Sequence, residues 1–404
     1  MSACGFCNTP LTRTFVDLGH TPLANSYLSR HQLDLPETHH PLHVKVCERC
    51  LLVQLDHKVD PEDIFRQYDY FSSTSPTWVE NARRKAESLI RRFQLGPASL
   101  VAEIGSNDGY LLRHFKDHGV QVMGIDPAAN CAVEAERAGV PTLVRFFGEA
   151  LGRELKDTAR QADLITGTNT LAHIPRIRDC LKGLASAVKP RGVVAMEFPH
   201  ILNLIRHTQF DTIYHEHYYY FSLHALAGMF EDCGLSVFDV EEIPTHGGSL
   251  CVYAQPSGAG RETGPRVDYV LDKEVAAGLN TLDGYDGFAG KVWWAKIKLL
   301  EFLVKSARDG FRVAAYGAPA KGSTLLNHCG VGRDLIEFVV DDSPHKQGKF
   351  MPGSHIPIIS REHLIQEQPP FTIILPWNLE AAIRERNTDY SGRWVVPIPN
   401  VKVF

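Results

Sequence analysis

The densest group of chemically active side chains is the run Tyr214-His215-Glu216-His217-Tyr218. Histidine exchanges protons near neutral pH, and a neighbouring carboxylate can fix its tautomer and raise its basicity. Tyr214 and His217 are three residues apart and would share a face if the turn is helical. A zinc-peptidase motif is excluded, because H-E-x-x-H places its histidines four residues apart. We therefore expect His217 to be a base with Tyr214 and Glu216 beside it, and His215 to be a packing residue.

A second group of reactive side chains is formed by cysteines. Two C-x-x-C pairs have the spacing of zinc knuckles, and together they supply four thiolates: Cys4, Cys7, Cys47 and Cys50. Four protein ligands complete a tetrahedron and leave no open position, so we expect a structural zinc ion. We expect the nearby histidines to be surface residues: His20, His39, His40 and His43. The isolated cysteines are expected to be small buried hydrophobes: Cys131, Cys180, Cys233, Cys251 and Cys329.

A third candidate site is the loop after the apolar run 100–104, where the sequence reads Glu103-x-Gly105-x-x-x-Gly109. A dinucleotide loop needs G-x-G-x-x-G so that the backbone can approach a pyrophosphate, and the second glycine is absent here. The acids Glu103 and Asp108 would repel phosphate and suit a cationic ligand. Asp126 ends the next apolar run, where a carboxylate can accept hydrogen bonds from a ribose. This pattern indicates S-adenosylmethionine.

The elements that must position these residues alternate along the chain. A helix is predicted over 77–93, and apolar strands are predicted at 100–104, 120–126, 143–144, 162–169, 192–198, 235–240 and 248–254. The last two read as a hairpin at a sheet edge. Alternating strands and helices that end in a hairpin resemble the class I methyltransferase fold. After the third strand, we expect either that Phe146 or Phe147 stacks on the adenine of the cofactor or that both are core residues. His173 follows the fourth strand, where it could be a second acid or base.

A further alternating unit follows a segment rich in glycine and proline at 255–265. A helix is predicted over 285–307, with strands at 311–317 and 336–342. Between these strands lies Gly317-Ala-Pro-Ala-Lys321-Gly-Ser323, a turn that opens a helix and offers donors for phosphate. It is not a P-loop, because Lys321 precedes the second glycine. Asp341 ends the second strand as a ribose-binding acid would, so we expect a nucleotide-derived substrate.

Composition excludes several other classes. The chain has 404 residues, enough for several domains. Its net charge is -5, and its basic residues are dispersed along the sequence. No basic block suggests nucleic acid, and no apolar run reaches the length of a membrane span. We find no signal peptide after Met1 and expect a cytoplasmic protein without nucleic-acid or membrane partners. We divide it into a zinc-binding domain (1–72), a methyltransferase domain (73–255) and a C-terminal Rossmann-like α/β domain (256–404).

The cysteine pairs, the Glu103–Gly109 loop, Tyr214–His217 and Gly317–Gly322 resemble, in this order, the nucleotide-sugar C-methyltransferase family of deoxysugar and antibiotic biosynthesis. The resemblance implies methylation at C3 of a dTDP-linked 4-keto-deoxyhexose, with His217 as base. It also implies a sugar pocket lined by Tyr214, Glu216 and His173 and covered by Tyr68 or Tyr70.

The expected site residues follow from these arguments together. We expect cofactor contacts from Glu103, Gly105, Asn107, Asp108, Gly109, Asp126, Pro127, Phe147 and Asn169. We expect contacts to the nucleotide of the substrate from Gly317, Lys321, Ser323 and Asp341. We also expect a monomer.

Three other functions remain open from the sequence. A sugar O- or N-methyltransferase would need a base but no ketone beside the acceptor. A nicotinamide-dependent oxidoreductase or epimerase would use the last domain for its cofactor. A zinc-ribbon adaptor would bind nucleic acid, which the net charge of -5 disfavours.

Overall fold

The computed structural model describes residues 2–65 and 71–404, which form three units around three sheets. The N-terminal unit contains strands β1 (Arg13–Thr21), β2 (His40–Val46) and β3 (Val53–Leu55) and helix α1 (Pro61–Phe65). Its strands are antiparallel, and the two cysteine pairs lie before β1 and after β2. The predicted positions Tyr68 and Tyr70 lie outside the described residues.

The central unit is a doubly wound sheet. Its helices and strands are α2 (Pro76–Phe93), β4 (Leu100–Ile104), α3 (Leu112–Asp117), β5 (Gln121–Ile125), α4 (Ala129–Arg137), β6 (Thr142–Leu143), α5 (Glu149–Asp157), β7 (Ala162–Thr168), α6 (Ile177–Ala187), β8 (Val188–Pro199), α7 (Ile201–Arg206), β9 (Tyr219–Tyr220), α8 (Leu223–Asp232), β10 (Leu235–Ile243) and β11 (Ser249–Pro256). Helix α2 begins where the side-chain oxygen of Ser75 accepts a hydrogen bond from the Trp78 N–H. Most residues of the central strands are buried, as helices on both faces of a sheet require.

The strand order of the central sheet is β10-β11-β8-β7-β4-β5-β6. Strand β11 is antiparallel to both neighbours, and the other pairs between β8 and β6 are parallel. The order reverses between β4 and β7, and ligands of such sheets bind at this switch point, beyond the carboxyl ends of the strands. The sheet and its closing hairpin confirm the predicted class I methyltransferase fold.

The C-terminal unit repeats the α/β pattern. Its elements are α9 (Pro265–Ala276), α10 (Phe288–Arg308), β12 (Val313–Tyr316), α11 (Ala320–Cys329), β13 (Val339–Val340), β14 (Ile358–Ile359), α12 (Arg361–Glu367), β15 (Phe371–Ile374), α13 (Glu380–Arg386), β16 (Arg393–Val396) and β17 (Lys402–Val403). The sheet order β14-β13-β12-β15-β16-β17 is that of a Rossmann fold, with only the last strand pair antiparallel. The predicted α/β domain is therefore confirmed.

Helix α9 was not predicted, because the segment rich in glycine and proline that precedes it reads as a linker. It packs on α8 and β10 of the central unit. Its Glu274 is fully buried and accepts hydrogen bonds from the backbone N–H groups of Leu223 and His224. His200 contacts the same carboxylate at 2.6 Å. The chain after residue 256 therefore first covers the methyltransferase sheet before it enters the C-terminal sheet.

Backbone pairings join the N-terminal unit to each of the other two units. Strand β9 of the central unit pairs with β3 and completes a four-stranded sheet in the N-terminal unit. Leu28 pairs with Phe350 of the C-terminal unit. The short strand β9 begins two residues after His217, so the N-terminal sheet holds the segment that carries this histidine.

Candidate active site

A cavity of about 690 Å³ lies at the switch point of the central sheet, where all three units meet. Its floor is formed by loops after β4, β5 and β7, and the other two units close its sides. Eleven of the predicted site residues line it: Gly105, Asn107, Asp126, Pro127, Phe147, Asn169, His173, Tyr214, Glu216, His217 and Lys321. Residues predicted for the cofactor and residues predicted for the substrate therefore share one cavity.

The nucleoside end of the cavity is built around Asp126. One carboxylate oxygen accepts the Asn107 N–H at 2.8 Å, and the other accepts the Ala128 N–H at 2.9 Å. Burial raises the pKa of Asp126, and the two backbone N–H groups oppose that shift. Each oxygen retains a second lone pair, so the carboxylate can accept further hydrogen bonds, which the expected ribose contact requires.

The glycine loop is folded as the sequence requires. Gly105 has φ of +67°, and an added Cβ would lie 2.7 Å from the side chain of Thr170. Gly109 also has positive φ but packs on Val140 and does not line the cavity. Asn169 lines the cavity, and its buried Oδ1 has no hydrogen-bond partner among the described residues. This oxygen is suited to accept from an ammonium group, so the site fits the amino-acid end of S-adenosylmethionine.

The two acids of the loop differ from the prediction. Glu103 is fully buried and does not line the cavity, and burial raises the pKa of its carboxyl well above the usual value. Asp108 accepts a hydrogen bond from the Ser73 N–H and does not line the cavity. Neither carboxyl therefore lines the cavity, so these two acids do not supply the negative charge that was expected beside a cationic ligand.

Both phenylalanines after the third strand line the cavity. Phe147 is 8% exposed and packs in the core, whereas Phe146 is 47% exposed. Because Phe146 is exposed, the alternative in which both rings are core residues does not hold.

The histidine at the sugar end of the cavity has a defined tautomer. The Nδ1 atom of His217 lies 2.8 Å from the carbonyl oxygen of Thr212, which can only accept, so Nδ1 carries the proton. Nε2 is then unprotonated, and its lone pair accepts a hydrogen bond from the Tyr214 hydroxyl at 2.8 Å. Burial lowers the pKa of His217 well below the usual value, and the nearby His173 lowers it further. A neutral imidazole with a free-base nitrogen therefore lines the cavity.

Glu216 is not the group that sets this tautomer, which corrects the prediction. Its Oε1 accepts a hydrogen bond from the Asn25 side chain at 2.6 Å, and both nitrogens of the His217 ring are engaged elsewhere. His173 contacts the His217 ring edge to face, with ring centroids 4.8 Å apart. Burial lowers the pKa of His173 to about 4. His215 is buried at the N-terminal unit, where its Nε2 faces the His40 carbonyl at 3.3 Å.

The C-terminal unit contributes lysines. Lys321 lies at the switch point of the C-terminal sheet, where its Nζ donates to Asn378 Oδ1 at 2.9 Å and lies above the Trp377 ring. Burial lowers the pKa of Lys321. Lys346 also lines the cavity and donates to the Ala318 carbonyl at 2.8 Å. Two lysines of the C-terminal unit therefore line the same cavity as Asp126.

Three other residues predicted for the substrate shape the turn instead of lining the cavity. The hydroxyl of Ser323 donates to the Ala24 carbonyl, and an added Cβ on Gly317 would lie 2.5 Å from Pro376. Asp341 accepts from the Ala318 and Ser343 N–H groups.

The sequence analysis missed several lining residues, among them Asn25, Trp78, Tyr110, Arg145, Arg176 and His246. Asn25 comes from the N-terminal unit, and nothing in its local sequence indicates that it reaches the site. His246 precedes two glycines in the hairpin turn at the carboxyl edge of the sheet, which is a signal that could have been used.

The four paired cysteines form one cluster. Their Sγ atoms lie within 4.8 Å of one another, with Cys4 and Cys50 3.6 Å apart and Cys7 and Cys47 3.4 Å apart. A tetrahedral zinc with bonds of about 2.3 Å needs sulfur separations of roughly 3.8 Å, so the residues fit the ion. Among the described residues this is the only cluster with metal-ligand geometry, and no histidine belongs to it. It lies apart from the cavity, as a structural site should.

The sheet order, the Asp126 carboxylate at its switch point and the cavity beyond it define a class I methyltransferase that uses S-adenosylmethionine. Family models match a zinc-binding domain at residues 4–65, a methyltransferase domain at 78–240 and a C-methyltransferase C-terminal domain at 244–399. The C-methyltransferase NovU of Streptomyces niveus is 37% identical, with 99% of this chain and 96% of that protein covered. The chain therefore belongs to this C-methyltransferase family and is an S-adenosylmethionine-dependent C-methyltransferase with a zinc-binding domain.

Other matches cover only part of the chain. A ubiquinone biosynthesis O-methyltransferase of Rhodopseudomonas palustris is 25% identical over 34% of this chain and 61% of its own length. The solved magnesium protoporphyrin IX methyltransferase of Synechocystis PCC 6803, with bound SAH, is 16% identical over 44% of this chain and 83% of its own, with a TM-score of 0.36. In residues 2–65 and 71–404, no helix combines the length and apolar character that crossing a bilayer requires.

Proposed function

We propose that this enzyme methylates C3 of a dTDP-linked 4-keto-deoxyhexose, with His217 as the base that forms the enolate. The observation that carries the proposal is the His217 ring. Its Nδ1 proton is fixed by the Thr212 carbonyl, and the ring lines the same cavity as Asp126 and the two lysines.

The chemistry requires such a base. Carbon attacks a methyl group only after it becomes nucleophilic, and a neighbouring ketone makes the adjacent C–H acidic. Nε2 of His217 takes that proton, the C–H electron pair forms the enolate double bond, and the ketone electrons move to oxygen. S-adenosylmethionine, when bound, supplies the sulfonium methyl that this carbon takes up. Asp126 and Asn169 would hold it by its ribose and its amino group.

Tyr214 has a second task in this scheme. Its hydroxyl donates to Nε2 in the resting site. Because Nε2 has a single lone pair, the phenol must turn away before Nε2 takes the substrate proton, and its hydroxyl is then free to donate to the developing oxyanion. A positioned donor of this kind contributes about 3 kcal/mol to a transition state. His173 and Glu216 line the same wall and would contact the sugar.

The cations support a nucleotide-linked substrate. Lys321 and Lys346 face the part of the cavity that the C-terminal Rossmann sheet provides, and ammonium groups pair with a diphosphate.

The deciding experiment uses methyl-labelled S-adenosylmethionine with a panel of dTDP-4-keto-deoxyhexoses, with and without a 3-amino group, and locates the label by NMR. We expect a new methyl group at C3. Label at C5, which also flanks the ketone, would keep the enolate chemistry and overturn the position. Label on oxygen or nitrogen would overturn the proposed reaction and favour the O- or N-methyltransferase alternative.

A further inference from the structure

The hairpin turn between β10 and β11 holds one histidine in a strained position at the cavity. His246 has φ of +53° and ψ of +24°, in the left-handed region that side chains other than glycine rarely adopt. Such conformations persist only where the surrounding structure fixes them, and they concentrate at functional sites. The turn lies at the carboxyl edge of the sheet, and His246 lines the cavity.

Hydrogen bonds to neighbouring elements fix the turn that carries this residue. The Thr245 hydroxyl donates to Glu197 at 3.2 Å, and Gln209 donates to the Gly247 carbonyl at 2.9 Å. The Gly248 carbonyl accepts from the His200 N–H at 3.1 Å.

The two glycines of the turn are required by their surroundings. Both have positive φ. An added Cβ on Gly247 would lie 2.6 Å from Gln209 and Trp377, and one on Gly248 would lie 2.3 Å from Asn203. The turn therefore holds His246, the residue that precedes the two glycines, at the cavity.

The presented ring has no partner of its own. Neither ring nitrogen of His246 has a hydrogen-bond partner in the described part of the chain, and Nε2 is buried. The ring contacts Trp78 edge to face, with centroids 5.1 Å apart. Burial lowers the pKa of His246 to about 4, so the ring is neutral and keeps one N–H donor. A buried polar group without a partner is costly unless a ligand or water satisfies it.

The neighbours of His246 indicate which ligand group would satisfy it. His246 lines the same cavity as His217 and Lys321. Lys321 is directed at Asn378 and the Trp377 ring. A neutral donor beside the base is what a carbonyl oxygen needs when it becomes an enolate oxygen.

From this geometry we propose that His246 is a catalytic residue that donates a hydrogen bond to the ketone oxygen of the substrate and stabilises the enolate. This role rests on the proposed function, in which His217 removes the proton from the adjacent carbon. It adds a third imidazole, beside His217 and His173, to the sugar end of the cavity.

The test measures solvent deuterium uptake by a dTDP-4-keto-deoxyhexose in the presence of S-adenosylhomocysteine, so that deprotonation is seen without methyl transfer. We compare the wild type with His246→Ala and with His246→Gln, which keeps an N–H donor. His207→Ala, at an exposed histidine, is the control. Calorimetric affinity for S-adenosylmethionine and thermal unfolding report binding and folding.

We expect deuterium uptake and kcat of His246→Ala to fall about 100-fold, with at least tenfold recovery in His246→Gln and cofactor affinity within about threefold of the wild type. The control should match the wild type. Wild-type uptake in a folded His246→Ala, or uptake in His246→Gln no higher than in His246→Ala, would overturn the role of His246 alone. A wild type that exchanges no deuterium with any sugar of the panel would overturn the proposed function and this role with it.

Discussion

At the scale of single residues, hydrogen bonds decide which side chain can act. His217 was predicted from its spacing to Tyr214, and the structure places the two 2.8 Å apart. Its tautomer could not be predicted, because the group that fixes it is the Thr212 backbone carbonyl and a carbonyl has no sequence signature. Asn25 was missed for a similar reason, since its contact with Glu216 joins residues far apart in sequence.

Replacement of His217 by glutamine should remove the base and leave the cofactor end intact. We expect kcat to fall by about 1,000-fold, as loss of general-base catalysis does, while the affinity for S-adenosylmethionine stays within about threefold. Steady-state kinetics and calorimetry measure the two quantities.

The exposed His207→Gln variant serves as control. Because the folded pKa of His217 lies below the usual histidine value, the wild-type base stays neutral as pH falls through 6.5, and its acid limb should appear well below that pH. Activity close to wild type in His217→Gln would remove it from the base role.

At the scale of elements, apolar runs that end in polar or glycine residues predicted the strands of the central sheet. β4, β5, β7 and β8 are buried on both faces, so their hydrophobic character is continuous and easy to find. The sequence of α9 shows no comparable change in hydrophobic character relative to its flanking segments, so this helix was not predicted. The placement of Glu103 was also wrong, because a strand residue alternates between faces and the side of the sheet it takes is set by the helices packed there.

The loop after β4 offers a sharp test of local geometry. In Gly105→Ala the new Cβ would meet Thr170 at 2.7 Å in a backbone with φ of +67°. The left-handed conformation alone costs a residue with a side chain about 1 to 2 kcal/mol. We expect affinity for S-adenosylmethionine to fall at least tenfold, measured by calorimetry.

Gly96→Ala is the matched variant, because its Cβ would meet nothing within 4 Å and its φ is not in the left-handed region. It should bind the cofactor as the wild type does. Equal affinity of both variants would show that the loop tolerates the change and does not shape the cofactor site.

At the scale of the whole molecule, the cysteine cluster was predictable from two spacings, whereas its connection to the active site was not. The hydroxyl of Tyr219 in β9 donates to the Pro175 carbonyl at 2.7 Å, and Lys58 of the N-terminal unit donates to the same oxygen at 3.2 Å. Pro175 lies two residues after His173. The zinc-binding unit therefore holds the loop that carries one wall of the cavity.

Loss of a thiolate ligand should act through this connection. We expect Cys7→Ser to lose bound zinc, measured by elemental analysis, and to unfold at a lower temperature, because a structural zinc stabilises the fold that surrounds it. Methyl transfer should fall more than cofactor affinity, since the sugar wall is disturbed and the Asp126 end is not.

The buried Cys233 lies outside the cluster and provides the control. Cys233→Ser should retain zinc. Full zinc content in Cys7→Ser would contradict the four-thiolate assignment.

The pairing of β9 with β3 also bears on how the chain can be divided and made. The N-terminal unit is synthesised well before β9, the fourth strand of its sheet, leaves the ribosome. The backbone groups on the outer edge of β3 therefore lack their sheet partner until residues 219–220 have been synthesised. A truncated fragment that stops before them would keep a bare sheet edge, the feature that promotes intermolecular association. Excision at the end of the cysteine-rich segment should therefore yield aggregation-prone material, and chimeras with related enzymes must exchange β3 and β9 together.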